Sequence, residues 1–158
     1  MTERFDAIVI GSGQAGPALA ARLAGHGQSV ALIERKLLGG TCVNTGCTPT
    51  KAMVASAYVA HMARRAADYG VTLPGPVAVD MAAVRGSKDD IVGASRSSLS
   101  DWLTGTENLT LIEDHARFVA DHTISVGERT LEAPRIFLNV GGRAVIPDYP
   151  GIGDIEIL

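Results

Sequence analysis

The stretch that decides the fold lies near the amino terminus and reads Ala7-Ile8-Val9-Ile10-Gly11-Ser12-Gly13-Gln14-Ala15-Gly16. Its first four residues are apolar and mostly β-branched, which is typical of a buried parallel strand. The next six residues, 11–16, have the spacing G-x-G-x-x-G and are called the glycine turn below. Pro17 and the alanine-rich residues 18–24 then predict a helix.

A second apolar run, residues 30–33, completes a βαβ unit and ends at Glu34. In a dinucleotide-binding turn, the glycines allow a sharp turn, a close approach of the backbone to a pyrophosphate, and tight packing of helix on strand. Glu34 would accept hydrogen bonds from an adenosine ribose, and its charge disfavours a 2′-phosphate. The unit predicts a site for FAD or NAD rather than NADP. The alternative is a glycine-rich turn in another α/β fold, with Glu34 in solvent.

The rest of the chain predicts two long helices followed by short strands. Gly86 and Gly93 weaken the pattern of the second helix. The expected elements are a loop at 37–48, helices at 49–69 and 80–103, and strands at 109–112, 116–120, 123–126, 130–131 and 135–140. This order predicts an α/β fold with a parallel sheet, a long helix after the loop, and a small β-rich layer near the carboxyl terminus.

The composition limits the classes of function. The chain has 158 residues, of which 46% are hydrophobic and 20% charged, as in a globular domain with its own core. A net charge of -3 provides no basic surface for nucleic acid. No apolar run approaches the roughly 20 residues that span a bilayer, and no signal peptide is recognisable. We expect a cytoplasmic protein with neither nucleic acid nor membrane as partner.

Cys42 and Cys47 allow three interpretations. A zinc site would need four ligands, and the histidines offer no paired spacing. The two thiols could be unrelated and buried. They could also form a redox-active disulfide. Residues five apart in a regular helix have Cα atoms roughly 8.6 Å apart, whereas a disulfide needs about 4.4–6.8 Å. The pair can therefore close only if the backbone between them is irregular, which Asn44 and Gly46 permit.

The position of Cys47 favours a reactive thiol over an inert one. It lies just before the helix predicted to start at Pro49, where the helix dipole favours a thiolate. Lys51 follows one turn later on the same face of that helix.

Residues 39–51, called the cysteine segment below, read Gly-Gly-Thr-Cys-Val-Asn-Thr-Gly-Cys-Thr-Pro-Thr-Lys. This segment resembles the active-site signature of the class I pyridine nucleotide-disulfide oxidoreductases, which include glutathione reductase, dihydrolipoamide dehydrogenase and mercuric reductase. The amino-acid sequence of this segment is most similar to that of mercuric-reductase-like members. The resemblance extends over residues 1–158, which would be the amino-terminal part of a Rossmann-like FAD-binding domain.

The resemblance implies a role for each matching residue. Cys42 would be the interchange thiol, Cys47 the charge-transfer thiol against the flavin, and Lys51 would lie near the reactive edge of the flavin. The residues implied to hold FAD are Gly11, Gly13, Gln14, Ala15 and Gly16 at the pyrophosphate, Glu34 at the ribose, Thr41 near the phosphates and Ala116 at the adenine. No residue is expected to hold a resident metal.

The resemblance also implies an activity. Electrons would pass from NAD(P)H through FAD and the Cys42–Cys47 disulfide to a small-molecule or metal-ion substrate, in a homodimer. The nicotinamide-binding and interface domains of the family have no counterpart in this sequence, so we expect this chain alone to be inactive. The alternatives are a truncated, non-catalytic flavin-binding chain, or an enzyme like dihydrolipoamide dehydrogenase when complete.

Overall fold

The computed structural model describes residues 1–156, which form two four-stranded sheets and four α-helices. The strands are β1 (Thr2–Arg4), β2 (Ala7–Ile10), β3 (Val30–Glu34), β4 (Leu109–Glu113), β5 (Ala116–Ala120), β6 (Thr123–Val126), β7 (Arg129–Glu132) and β8 (Ile136–Leu138). The helices are α1 (Gly16–Gly25), α2 (Gly40–Asn44), α3 (Cys47–Arg64) and α4 (Met81–Thr104), with 3₁₀ turns at Ala66–Tyr69 and Ile152–Asp154.

The first sheet has the strand order β4-β3-β2-β8, and every pairing in it is parallel. Its two central strands are buried because alternate side chains point into cores on opposite faces. On one face Val9 and Leu32 pack against α1 and against Leu103 of α4. On the other face Ile8 and Ile33 pack against strands of the second sheet. The predicted α/β fold with a parallel sheet is confirmed, and all its strands end at one edge.

The second sheet, ordered β1-β7-β6-β5, is the predicted β-rich layer. Strands β5 to β7 are antiparallel neighbours, whereas β1 pairs in parallel with β7. Sequence patterning missed β1 because its three residues, Thr2–Arg4, contain no apolar run. Arg129 of β7 holds it by donating two hydrogen bonds of 2.7 Å to the Glu3 carboxylate.

The long helices differ from prediction at their ends. Helix α3 covers Cys47–Arg64 rather than 49–69, and a separate 3₁₀ turn follows it. It begins before Pro49 because the first turn of a helix needs no internal N–H donor. Helix α4 continues through Gly86 and Gly93, and the Asp80 carboxylate caps its start. Within residues 1–156, no helix is long and apolar enough to cross a membrane.

Candidate functional site

The glycine turn follows β2, and its packing leaves no room for a side chain at Gly11 or Gly16. Gly11 has φ +104°, and a Cβ atom on it would collide with the carbonyl oxygen of Asn139. A Cβ atom on Gly16 would collide with the carbonyl oxygen of Gly11. The glycines are therefore required by the backbone geometry, as the dinucleotide-binding interpretation expects.

Asn139 supports the turn from β8, and sequence reasoning assigned it no role. Its side-chain amide donates a hydrogen bond of 3.2 Å to the Gly11 carbonyl oxygen, and its backbone N–H donates one of 2.8 Å to the Ile10 carbonyl oxygen. Only the pairing of β8 with β2 brings it there, at the common edge of the parallel sheet. A local sequence pattern carries no signal for such a contact.

The amino end of α1 opens on a cleft of about 260 Å³. Ala15 precedes the helix, and no side chain caps its first turn. Gly13, Gln14 and Ala18 line the cleft on one side, and Leu99 and Trp102 of α4 line it on another. Uncapped N–H groups at a helix start attract phosphate through hydrogen bonds and the helix dipole. The arrangement fits the pyrophosphate of a dinucleotide.

Glu34 ends β3 beside the glycine turn. Its Oε2 atom accepts hydrogen bonds from the Ser12 N–H at 3.0 Å and from the Ser12 hydroxyl at 2.8 Å. Its Oε1 atom accepts one from the Lys36 N–H at 2.9 Å. Burial raises the pKa of Glu34, but these hydrogen bonds outweigh it and hold the pKa below its usual range. Because a carboxylate has about four acceptor positions, it can still accept one ribose hydroxyl.

The cysteine segment contains a short helix where a loop was expected. Helix α2, Gly40–Asn44, lies inside the predicted loop at 37–48. It forms because Gly39 and Gly40, at φ +94° and +60°, turn the chain sharply onto the glycine turn. A Cβ atom on Gly40 would lie 2.8 Å from the Gly13 Cα atom, so the two backbones are in direct contact. The exposed Thr41 is the next residue of α2.

The helix is interrupted between the two cysteines, as their spacing requires. Cys42 lies in α2 and Cys47 is the first residue of α3. The interruption is at Thr45 and Gly46, and a Cβ atom on Gly46 would lie 3.0 Å from the Thr41 carbonyl oxygen. The expected contribution of Asn44 to this interruption is wrong, because Asn44 is still helical.

Asn44 instead ties α2 together. Its side-chain amide donates hydrogen bonds of 2.9 Å to the carbonyl oxygens of Leu38 and Gly40. The polar side chain therefore closes the start of the helix onto its end, which a five-residue helix needs because its own hydrogen bonds are too few.

The two cysteines are free thiols, Cys42 partly buried and Cys47 exposed. A hydrogen bond with the Cys47 side chain is the main reason that the pKa of the Cys42 thiol is raised, and burial adds to it. The thiols therefore interact, unlike two unrelated buried cysteines. Residues 1–156 contain no group of three or more His, Cys, Asp or Glu residues that could hold a metal ion. Lys51 is exposed, one turn into α3.

Ala116 follows β4, the strand that flanks β3 on the side away from β2. Strand β4 pairs with β3 so that Glu113 is the neighbour of Glu34, and Ala116 follows at the start of β5. Ala116 is partly buried against the core between the sheets. It thus lies a short loop beyond the strand next to the proposed ribose acceptor.

The fold and the site agree with comparisons with known proteins. Residues 5–157 match the family described as pyridine nucleotide-disulphide oxidoreductase. The chain belongs to this family. Membership confirms the resemblance to the pyridine nucleotide-disulfide oxidoreductases, a family of FAD-dependent enzymes.

Several relatives cover almost the whole chain. It is 37% identical to glutathione reductase of Nostoc sp., over 96% of this chain and 33% of that protein. It is 28% identical to dihydrolipoyl dehydrogenase of Acholeplasma laidlawii, over 96% of this chain and 45% of the relative. It is 30% identical to mercuric reductase of Bacillus cereus, over 98% of this chain and 24% of the relative. The chain thus spans less than half the length of each of these relatives.

A solved structure shows the same fold. The HOCl-induced flavoprotein disulfide reductase RclA from Escherichia coli superposes with a TM-score of 0.72 at 32% identity. The match covers 94% of this chain and 31% of that one. These relatives act on different substrates, so membership of the family does not identify a substrate.

The packing at Gly16 predicts a large effect of one methyl group. Gly16→Ala places a Cβ atom against the Gly11 carbonyl oxygen and should lower the free energy of unfolding by at least about 2 kcal/mol. Gly25→Ala, at the other end of α1, is the control because nothing lies within 4 Å of its Cβ position. That variant should be neutral or up to about 1 kcal/mol more stable. Urea denaturation followed by circular dichroism measures both, and equal effects would contradict the assigned packing.

The hydrogen bonds to Glu34 predict a dependence of stability on pH. The folded chain holds the pKa of Glu34 below its ordinary value of 4.5, so the ionised carboxylate stabilises the fold above that pH. This contribution is lost as pH falls through the lowered pKa. Glu34→Gln should therefore be less stable than wild type at pH 7, and the difference should shrink steadily below pH 4.5. A difference that is constant from pH 7 to pH 3 would refute this. Glu113→Gln, on the exposed end of β4, is the control and should change stability by less than about 0.5 kcal/mol.

Proposed function

We propose that this chain binds FAD at the glycine turn and uses Cys42 and Cys47 to pass electrons from NAD(P)H to a soft metal ion, as a mercuric-reductase-type enzyme does. The observation that carries the proposal is the backbone contact between Gly13 and Gly40. It places the glycine turn next to the helix that carries Cys42, so FAD bound at the turn would lie near the cysteine pair. Neither feature alone would indicate a flavin-dependent disulfide reductase.

Each part of FAD would meet a group suited to it. The N–H groups of the glycine turn and of the start of α1 would bind the pyrophosphate, and the free position on Glu34 would accept a ribose hydroxyl. The residues assigned to FAD are Gly11, Gly13, Gln14, Ala15, Gly16, Glu34, Thr41, Lys51 and Ala116. Bound FAD would supply two-electron exchange between reduced nicotinamide and sulfur.

The cysteine pair would store two electrons. As two thiols the pair is reduced; forming the Cys42–Cys47 disulfide releases two electrons and two protons. Because the hydrogen bond with the Cys47 side chain raises the pKa of Cys42, this thiol keeps its proton to higher pH than an isolated cysteine does. We assign Cys42 to exchange with the substrate and Cys47 to the flavin side, with Lys51 as a nearby positive charge.

The chemistry of the sulfur pair supports a soft metal ion as substrate. Thiolates bind soft cations in preference to hard ones, and two adjacent thiolates can hold one linearly. Mercuric reductases of Bacillus cereus, Staphylococcus aureus and Lysinibacillus sphaericus are 30%, 31% and 31% identical to this chain. A small disulfide is the second candidate, because glutathione reductase of Nostoc sp. is 37% identical. The same two sulfurs would serve either substrate.

The complete activity and the assembly belong to the proposal as well. The chain spans 45% or less of the relatives described above. We expect NAD(P)H oxidation and homodimer formation to depend on domains of the kind that those longer relatives contain. Flavin binding and thiol chemistry depend on residues of this chain and can be tested in it.

Flavin binding is the first test. Titration of the chain with FAD should saturate at one FAD per chain, with quenching of flavin fluorescence. Glu34→Ala should weaken binding about tenfold, because a charge-assisted hydrogen bond to the ribose is lost. Asp6→Ala is the control, since that carboxylate is bonded to Ser29 at the opposite end of β2 and β3. Absence of saturable binding would overturn the assignment of FAD.

The substrate class is tested on the thiols. One mercuric ion per reduced chain should protect both cysteines from alkylation, and Cys42→Ser or Cys47→Ser should each abolish protection of the remaining thiol in the presence of a competing monothiol. Full protection of the remaining thiol from alkylation in either single variant would contradict a metal substrate, because the two sulfurs would then act separately. Rapid oxidation by glutathione disulfide without joint protection by mercuric ion would favour the second candidate.

A further inference from the structure

A chain of hydrogen bonds joins the carboxylate at the end of β3 to the cysteine segment. The Ser12 hydroxyl oxygen lies 2.8 Å from Glu34 Oε2 and 3.2 Å from the Gly39 amide nitrogen. Ser12 is completely buried, and so is its hydrogen bond with Gly39. A single side chain therefore contacts both the proposed ribose acceptor and the start of the segment that carries the sulfurs.

The donors and acceptors in this series of hydrogen bonds can be arranged in only one way. A hydroxyl has one proton and two acceptor positions, and an ionised carboxylate can only accept. Ser12 must therefore donate to Glu34 and accept from the Gly39 N–H. Donation to a charged acceptor polarises the hydroxyl, which makes it a better acceptor for Gly39. A change in the charge of Glu34 thus changes the strength of the hydrogen bond at Gly39.

The hydrogen bond from the Gly39 N–H to Ser12 lies at the start of α2, where other elements hold this helix in place. A helix of five residues is not stable by itself, so its position depends on contacts outside it. Two of those contacts are at its start: the Gly39 N–H on Ser12, and Gly40 against the Gly13 backbone. Cys42 is two residues further on. Any loosening at Gly39 therefore moves one sulfur relative to the other.

We propose that Ser12 is a positioning residue that fixes α2, and with it Cys42, and that couples this position to the state of the Glu34 carboxylate. Ser12 acts through Gly39 and touches neither sulfur. The inference deepens the proposed use of the cysteine pair, but its test needs neither flavin nor substrate. The proposed role of Ser12 can therefore be refuted while flavin binding and metal binding are observed, and it can be supported while they are not.

Hydrogen exchange of the backbone amides is the direct test, in the 158-residue chain. Ser12→Ala should speed exchange of residues 38–44 about tenfold, because the Gly39 N–H loses its buried acceptor. Glu34→Ala should speed it about threefold, because the Ser12 hydroxyl stays in place to accept from the Gly39 N–H but is no longer polarised by the carboxylate. Ser29→Ala is the matched control: its hydroxyl donates an equal 2.8 Å hydrogen bond to the Asp6 carboxylate, at the other end of the same strands. It should leave residues 38–44 unchanged.

The second readout is the equilibrium of the pair with glutathione. Glutathione disulfide takes two electrons and two protons from Cys42 and Cys47, which leaves a protein disulfide and two glutathione thiols. In Ser12→Ala the loosened α2 must be ordered when the disulfide closes, so the equilibrium constant for closure should fall about tenfold. Ser29→Ala should match wild type. A general loss of stability would instead speed exchange throughout the chain.

The outcomes are decisive even if one variant does not fold. Wild-type exchange at residues 38–44 and a wild-type glutathione equilibrium in both Ser12→Ala and Glu34→Ala would overturn the proposal. If Ser12→Ala proves unfolded by circular dichroism, Glu34→Ala decides the question, because Glu34 is only partly buried and its side chain can be shortened without opening the core. Faster exchange in that variant, confined to residues 38–44, would support the coupling.

Discussion

The close approach of two glycine backbones is the constraint on which the rest of the site depends. Gly13 of the glycine turn and Gly40 at the start of α2 are in direct contact, and a single methyl group between them would separate them. Because of this contact, the elements that suit a dinucleotide and the elements that carry two thiols form one site. A side chain at position 40 would push the start of α2, and with it the cysteine pair, away from the glycine turn.

The parallel sheet is what brings the partners of this contact together. Strands β2, β3 and β8 end at one edge: Glu34 is the last residue of β3, and the glycine turn and Asn139 directly follow β2 and β8. The apolar residues of β2 and β3 are buried on both faces, so the positions of these strand ends are fixed by the core. Hydrogen bonds from Ser12 and Asn139 then transfer that rigidity to the turn and the cysteine segment, which is how a site with few buried polar groups can be preorganised.

The sequence predicted those parts of the molecule whose causes are local. The βαβ unit and the glycine turn follow from apolar runs and glycine spacing, and the need for irregular backbone between Cys42 and Cys47 follows from helix geometry. Sequence patterns missed the parts that depend on distant partners. Strand β1 is held in the second sheet by the hydrogen bonds between Arg129 and Glu3, and Asn139 contacts the glycine turn because β8 pairs with β2. The irregular backbone expected at Gly46 is confirmed, but that expected at Asn44 is wrong, because the side chain of Asn44 satisfies the backbone of α2 instead of breaking it.

In the proposed function, a flavin held by the glycine turn exchanges electrons with the cysteine pair of the same chain. The most direct measurement starts from the chain in its disulfide form with FAD bound, adds one equivalent of dithionite without oxygen, and follows flavin absorbance and free thiols together. We expect two thiols to appear per chain as the flavin returns to its oxidised spectrum, at a rate independent of protein concentration. A flavin that stays reduced beside an intact disulfide, or a rate that rises with protein concentration, would contradict it.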